Sequence, residues 1–193
     1  MPHPDALLWD HRYTHETPRR LMRSPRKLVT ANLDLLPRKG LILDMACGTT
    51  ATGRFLAARG WQVIALDVSI TALRIARLGA QKNDLPLSMA VMDLKDPWLP
   101  REHFDVILNF YYLSRPLWKA YREALKPGGL LFFETFLCEA NMNPDHYLDS
   151  LELKNIFADW EIIRYAEIQH VSHIPGKTGK IRRVAQLVAR KPF

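Results

Sequence analysis

The sequence predicts an α/β domain: a doubly wound, mostly parallel sheet with helices on both faces, finished by an antiparallel C-terminal hairpin. Three observations carry that reading. The chain has 193 residues, enough for one domain with a self-sufficient core. Short apolar runs alternate with amphipathic stretches of helical length, the pattern of strands joined by crossover helices. The last two apolar runs have no helix-length segment between them, so they must pair antiparallel.

Strands are expected at 41–45, 62–66, 87–92, 105–109 and 129–136. Several are apolar almost throughout, as strands covered on both faces are. Helices are expected between them at 26–36, 50–59, 69–82, 116–125 and 144–157, with Ser69 as an N-cap. Pro127-Gly128-Gly129 ends the fourth helix and turns the chain into the fifth strand. The hairpin strands are 160–168 and 181–190. With no repeat or low-complexity segment, 1–193 reads as a single domain. Within it, 1–25 is an N-terminal lid segment with few apolar anchors, 26–159 the α/β core and 160–193 the hairpin.

Hydrophobic residues make up 48 % and charged residues 24 %, which excludes a disordered chain, a collagen or a coiled coil. The apolar stretches at 104–113 and 130–133 fall far short of the ~20 residues of a membrane span. The N-terminus has neither the basic nor the apolar region of a secretory signal, so a cytoplasmic location is expected. Cys47 and Cys138, far apart, fit a reducing compartment and build no disulfide scaffold. No histidine pair has metal-ligand spacing, and no metal is expected.

The net charge of +7 is concentrated at the two ends. Arg12, Arg19, Arg20, Arg23, Arg26 and Lys27 crowd the first segment; Lys177, Lys180, Arg182, Arg183, Arg190 and Lys191 crowd the last. Such patches attract anions, either a small acidic substrate or nucleic acid, and can equally be solvated surface.

The first strand runs into Asp44-Met-Ala-Cys-Gly-Thr-Thr-Ala-Thr-Gly53 and then a helix. A small-residue turn there lets a ligand approach backbone N–H groups, and Gly48 can take a positive φ. The dinucleotide fingerprint fails, because its first and last glycine positions hold Ala46 and Ala51. Asp44, before the turn, would repel a pyrophosphate but pair with an ammonium group. No Gly-Lys-Ser/Thr follows, which excludes a phosphate-binding P-loop. Asp67, at the end of the second strand, suits the two hydroxyls of a ribose. Asp93, after the third, can accept from an adenine amino group. The ligand described has an amine, a ribose and a purine but no phosphate; S-adenosylmethionine fits.

Asp44-Met-Ala-Cys-Gly48, Ala65-Leu-Asp67-Val-Ser69, Met92-Asp93-Leu94, Phe104-Asp-Val-Ile-Leu-Asn109 and Leu125-Lys-Pro-Gly-Gly-Leu130 resemble, in order and spacing, the motifs of class I S-adenosylmethionine-dependent methyltransferases. Within that family, Trp9-Asp-His-Arg-Tyr13, Asn109-Phe-Tyr-Tyr-Leu113 and Phe133-Glu-Thr-Phe136 look most like the small bacterial tellurite-resistance and thiopurine branch. The resemblance implies a seven-stranded sheet of order 3-2-1-4-5-7-6, S-adenosylmethionine as cofactor and S-adenosylhomocysteine as product. It implies cofactor contacts from Ala46, Cys47 and Gly48 in the turn, from Val68 beside Asp67, and from Leu94 beside Asp93. Asn109 would lie near the sulfonium, with Arg12 and Tyr13 closing over the methionine carboxylate. Thr50 departs from the pattern, since the family commonly has Gly there.

The acceptor side is less determined. Tyr111 and Tyr112 either wall a substrate pocket or pack under the next helix. Tyr112, Glu134 and His146 are candidate general bases; Glu134 can equally be a buried structural acid and His146 a surface residue. Asn109 is not followed by Pro-Pro-Tyr, so resemblance to amino-methylating nucleic-acid enzymes fails. The expected reaction is methyl transfer to a small-molecule acceptor, with an anion among the candidates. The alternatives are transfer to RNA or protein, and a non-catalytic S-adenosylmethionine-binding protein.

Overall fold

The computed structural model describes residues 3–21, 24–81, 84–139, 142–171 and 181–193. Among them runs a seven-stranded sheet of order β3-β2-β1-β4-β5-β7-β6, the order the resemblance implies. The strands are β1 (Leu41–Met45), β2 (Gln62–Asp67), β3 (Leu87–Val91), β4 (Phe104–Phe110), β5 (Leu125–Phe136), β6 (Glu161–Val171) and β7 (Ile181–Arg190). β1 lies between β2 and β4, parallel to both, and β5 is parallel to β4. β7 pairs antiparallel with both β5 and β6.

Alternation along the central strands splits the core between the two faces. Leu43, Met45, Ile107, Phe133 and Leu187 point to the face covered by α5 (Leu117–Ala124), where Tyr121, Phe157 and Trp160 pack. Ile42, Val106, Leu108, Phe132 and Val188 point to the other face. That face is covered by Leu28 and Val29 of α2 (Lys27–Thr30) and by Leu56 of α3 (Ala51–Ala57).

Three elements depart from expectation. Helix 26–36 is only α2 followed by a 3-10 turn at Leu33–Leu35. Asn32 leaves helical space at φ −138, and its side chain donates to the Leu28 carbonyl at 2.7 Å, the local competition that ends helices at Asn. Helix 144–157 is also split. A 3-10 turn at Pro144–His146 is followed by Leu148, which bridges Leu137 and is fully buried, before α6 (Glu152–Ile156) begins. Burial of one leucine against the sheet outweighs helical continuity there.

The third departure is the N-terminal segment, which forms the helix α1 (Pro4–Leu21). Pro4 opens it and Asp5 sits in its first turn, both favourable at that end. It lies along α4 (Ile70–Gln81), burying Tyr13 against Ala72 and Ile75 with Trp9 alongside. The side chains of Arg19, Arg20, Arg23, Lys177 and Lys180 lie outside the described residues.

Candidate cofactor and acceptor site

The carboxyl ends of β1, β2 and β4 meet where the strand order reverses, the usual place for a ligand crevice in an open α/β sheet. The turn after β1 has three alternate residues in the left-handed region: Ala46 at φ 48, Gly48 at φ 57 and Thr50 at φ 43. The backbone thus keeps a shape suited to glycine at every second position, although only one glycine is present. A Cβ on Gly48 would collide with the Tyr13 hydroxyl of α1. Thr50 recovers part of its strain through a bond from its hydroxyl to Asp44 Oδ2 at 2.7 Å.

Asp44 is 4 % exposed, and burial pushes its carboxyl up to about 6. The Thr50 hydroxyl, the Arg26 charge and the Gly53 N–H pull it back. Asp44 therefore staples the turn from below rather than standing open to an ammonium group. Asp67 holds the turn from the side: Oδ2 accepts from Gly48 N–H at 2.7 Å and Oδ1 from Ser69 N–H at 2.9 Å. Burial raises its carboxyl, and those two N–H groups oppose the rise. Burial, with the Asp44 and Asp67 charges, pushes the Cys47 thiol well up; it stays protonated, a packing residue and no nucleophile.

Ser69 caps α4 as expected, its Oγ accepting from Ala72 N–H at 3.0 Å. Asp10 of α1 joins that cap, accepting from Ser69 Oγ at 2.5 Å and Thr71 N–H at 3.0 Å. The start of α1 reaches the end of β3. His3 Nε2 lies 3.1 Å from Asp93, and Asp5 pairs with Lys95 at 2.7 Å. Asp93 is partly exposed and also accepts from Lys95 N–H at 2.9 Å. Val68 is half-buried and Leu94 belongs to the core. The N-terminal segment thus reaches the Asp67 turn through Asp10 and Tyr13, and Asp93 through His3.

Asn109, at the end of β4, is fully buried and donates to the Tyr112 carbonyl at 2.7 Å. Its Oδ1 has no hydrogen-bond partner among the described residues. A buried orphan acceptor at the switch point marks a place where a ligand donor is missing.

The catalytic candidates separate. Tyr112 is half-buried; burial, then the Asp93 charge, raises its hydroxyl, so at neutral pH it is a donor and no base. Glu134 is 6 % exposed and accepts from Gln186 Nε2 across the β5–β7 pair at 2.5 Å. His146 is exposed on its 3-10 turn, and no hydrogen bond or ion pair among the described residues ties its ring to the others. Arg12, on α1, is exposed and lies over the Trp9 ring at 4.8 Å.

A second group has no signature in linear spacing. Tyr111, left-handed at φ 62, faces Phe136 with ring centroids 4.8 Å apart. The Arg26 guanidinium lies 4.5 Å from the Tyr111 ring, and Arg182 lies 5.3 Å from the Phe136 ring. His170 Nε2 is 3.5 Å from the Tyr111 hydroxyl. Basic ends and aromatic residues are visible as composition, but only the folded sheet, with the start of α2 packed on it, brings 26, 111, 136, 170 and 182 together.

Known proteins similar to this chain include methyltransferases. Residues 42–129 match the family described as a methyltransferase domain. The chain is 31 % identical over 131 residues to the ubiquinone biosynthesis O-methyltransferase of Cereibacter sphaeroides strain ATCC 17025, covering 65 % of this chain and 50 % of that protein. Over residues 42–129 the chain is similar to methyltransferase domains, and its fold is that of a solved S-adenosylmethionine-dependent methyltransferase from Methanosarcina mazei, with a TM-score of 0.72 at 17 % identity, covering 89 % of this chain and 100 % of that one. The chain spans about half the length of the curated relatives it matches.

The crystal structure of TehB from Haemophilus influenzae superposes with a TM-score of 0.74 at 21 % identity, covering 85 % of this chain and 61 % of that one. A structure solved for the conversion of a disulfide bond into a thioacetal group during echinomycin biosynthesis gives 0.75 at 21 %, covering 97 % and 93 %. These likenesses are of fold. The residues present fit S-adenosylmethionine. The turn keeps the left-handed backbone at Ala46, Gly48 and Thr50, and Asn109 Oδ1 is left for a ligand donor.

Proposed function

We propose that this chain transfers the methyl group of S-adenosylmethionine to a small-molecule acceptor. The observation that carries the proposal is the convergence of Asp44, Asp67 and Asn109 beneath one left-handed turn, with Asp93 at the same edge. When bound, the cofactor supplies a methyl group on positively charged sulfur, ready for in-line displacement. The protein's task is alignment and exclusion of water.

Asp67 would hold the ribose with the lone pairs its two backbone donors leave free. Asp93 would take the adenine amino group, releasing His3 to do so. Asn109 borders the reacting end. Arg26, beside Asp44 and tied by its N–H to Thr52 Oγ1 at 3.1 Å, is a better partner for the methionine carboxylate than Arg12. Ala46, Cys47, Gly48, Val68 and Leu94 would supply backbone and packing contacts. Helix α1 is the lid, pinned by Asp10 and Tyr13. An acceptor arriving protonated would need Glu134 as its base, since Tyr112 stays protonated.

The charge pattern favours a small acceptor over nucleic acid. Arg183 and Arg190 are neutralised by Glu167 and Glu161 at 2.7 and 2.9 Å, which leaves little of a phosphate-binding stripe among the described residues. Among those residues no helix is long and apolar enough to cross a membrane. Two free cysteines support a reducing, cytoplasmic setting. Incubation with methyl-labelled S-adenosylmethionine and fractionated extract tests the reading. Label should enter the small-molecule fraction; label confined to RNA or protein would overturn it.

A further inference from the structure

We propose that Arg182 is the anchor for an acidic group, a carboxylate or phosphate, on the methyl acceptor. The inference rests on the methyltransferase reading above and adds the acceptor's chemistry to it. Three arginines on β7 invite comparison. Arg183 and Arg190 each meet a carboxylate of β6. Arg182, half-buried, meets none within ion-pair distance among the described residues. Its partners there are neutral: the Tyr147 hydroxyl at 3.3 Å and the rings of Phe136 and Tyr147 at 5.3 and 5.7 Å. A guanidinium seated on aromatic faces keeps its N–H edge for a planar or tetrahedral oxyanion, and its side-chain entropy is already spent.

Position supports the assignment. β7 runs antiparallel to β5, so its first residues lie at the carboxyl end of the parallel strands, with Val184 opposite Phe136. From Arg182 the rings of Phe136 and Tyr111 form a continuous wall back to Arg26, which stands next to Asp44 and the cofactor turn. The wall has a cation at each end. The inner one suits the cofactor's carboxylate, which leaves the outer one for the acceptor. Tyr111 holds its left-handed backbone at φ 62 to take this place, and such strain collects at ligand sites. Glu139 accepts from the Arg183 N–H at 3.3 Å and makes no ion pair with Arg182, and Glu134 and Asp44 are buried acids at the inner part of the crevice. Both are hydrogen-bonded, Glu134 to Gln186 and Asp44 to Thr50, so neither spends the Arg182 charge.

The test uses the full chain saturated with S-adenosylhomocysteine and titrates benzoate, phenyl phosphate and the neutral benzamide, followed by nuclear magnetic resonance. At least one of the two acids should bind ten times or more tightly than benzamide, and which one does identifies the preferred oxyanion. Arg182→Gln should bring that ratio near one, with S-adenosylhomocysteine affinity within twofold of wild type; Arg182→Lys should restore part of it. Equal binding of acids and amide by the wild-type protein overturns the proposal without any variant, as does an unchanged ratio in a folded Arg182→Gln. Failure of the wild type to bind S-adenosylhomocysteine overturns the methyltransferase reading itself.

Discussion

The two halves of the crevice are built on opposite electrostatic plans. On the β1–β3 side the charged groups are carboxylates, and each is already bonded within the protein: Asp44 to Thr50, Asp67 to Gly48 and Ser69, Asp93 to His3 and Lys95. On the β4–β7 side the charged groups are arginines laid on aromatic rings, and Arg26 and Arg182 have no ion-pair partner among the described residues. The first half is a pre-organised cradle in which a ligand adds bonds to groups already fixed. The second is a surface whose cations lie on rings, with no carboxylate in ion-pair contact with them among the described residues.

The cradle carries stored strain, and Asp44→Asn should expose it. In the folded protein the Asp44 carboxyl sits near 6, against 3.8 in an exposed setting. A raised folded value means that the native state prefers the protonated form. Asp44 therefore costs stability as pH rises from about 4 to about 6, and the loss stays constant above that. Asn keeps an acceptor for Thr50 without the charge, so the ligand-free variant should be more stable at pH 7 by about 2–3 kcal/mol. The gain should vanish near pH 4 in denaturant titrations across that range. Cofactor affinity should nevertheless fall, because the turn loses its charged staple.

Thr50→Gly sharpens the same point on a smaller scale. It relieves a left-handed β-branched residue, worth about 1–2 kcal/mol, but removes a charge-assisted bond worth about 1.5–3 kcal/mol. A net loss of about 1 kcal/mol in denaturant stability is expected, and Thr50→Ser should recover most of it. Asp10→Ala loosens the lid that spans the cradle. Losing the two bonds onto the start of α4 should cost about 1 kcal/mol of thermal stability and raise hydrogen exchange in α1 before the sheet is affected. The smallest effect belongs outside both halves. Arg183→Gln with Arg190→Gln breaks two exposed ion pairs worth about 0–1 kcal/mol each and should leave kcat/KM within about threefold, read in a steady-state assay.

The difference between the halves also explains why linear order reveals the cradle and hides the wall. Asp44, Gly48, Asp67 and Asp93 each follow a strand at a spacing set by the crossover helices, so their order along the chain reports their convergence. Phe136, His170 and Arg182 meet through the β5–β7–β6 pairings, with Tyr111 just past β4 and Arg26 at the start of α2 packed against them, and linear spacing does not encode that. Helix α1 is hidden for a related reason. Its own apolar content is small, and it is held by Tyr13 on Gly48 and by Asp10 on the α4 cap. The break at Leu148 likewise reflects a buried position in the folded chain rather than a local signal.

Calorimetric titration of S-adenosylhomocysteine into wild type, Asp67→Ala and Arg182→Gln tests the division most directly. Asp67→Ala should weaken binding by about 1.5–3 kcal/mol, since a charged acceptor of the ribose and the tether of the Gly48 turn are both lost. Asp67→Asn should lose less, and Arg182→Gln should bind as wild type does. Wild-type affinity in a folded Asp67→Ala, or an equal loss in Arg182→Gln, would contradict the account.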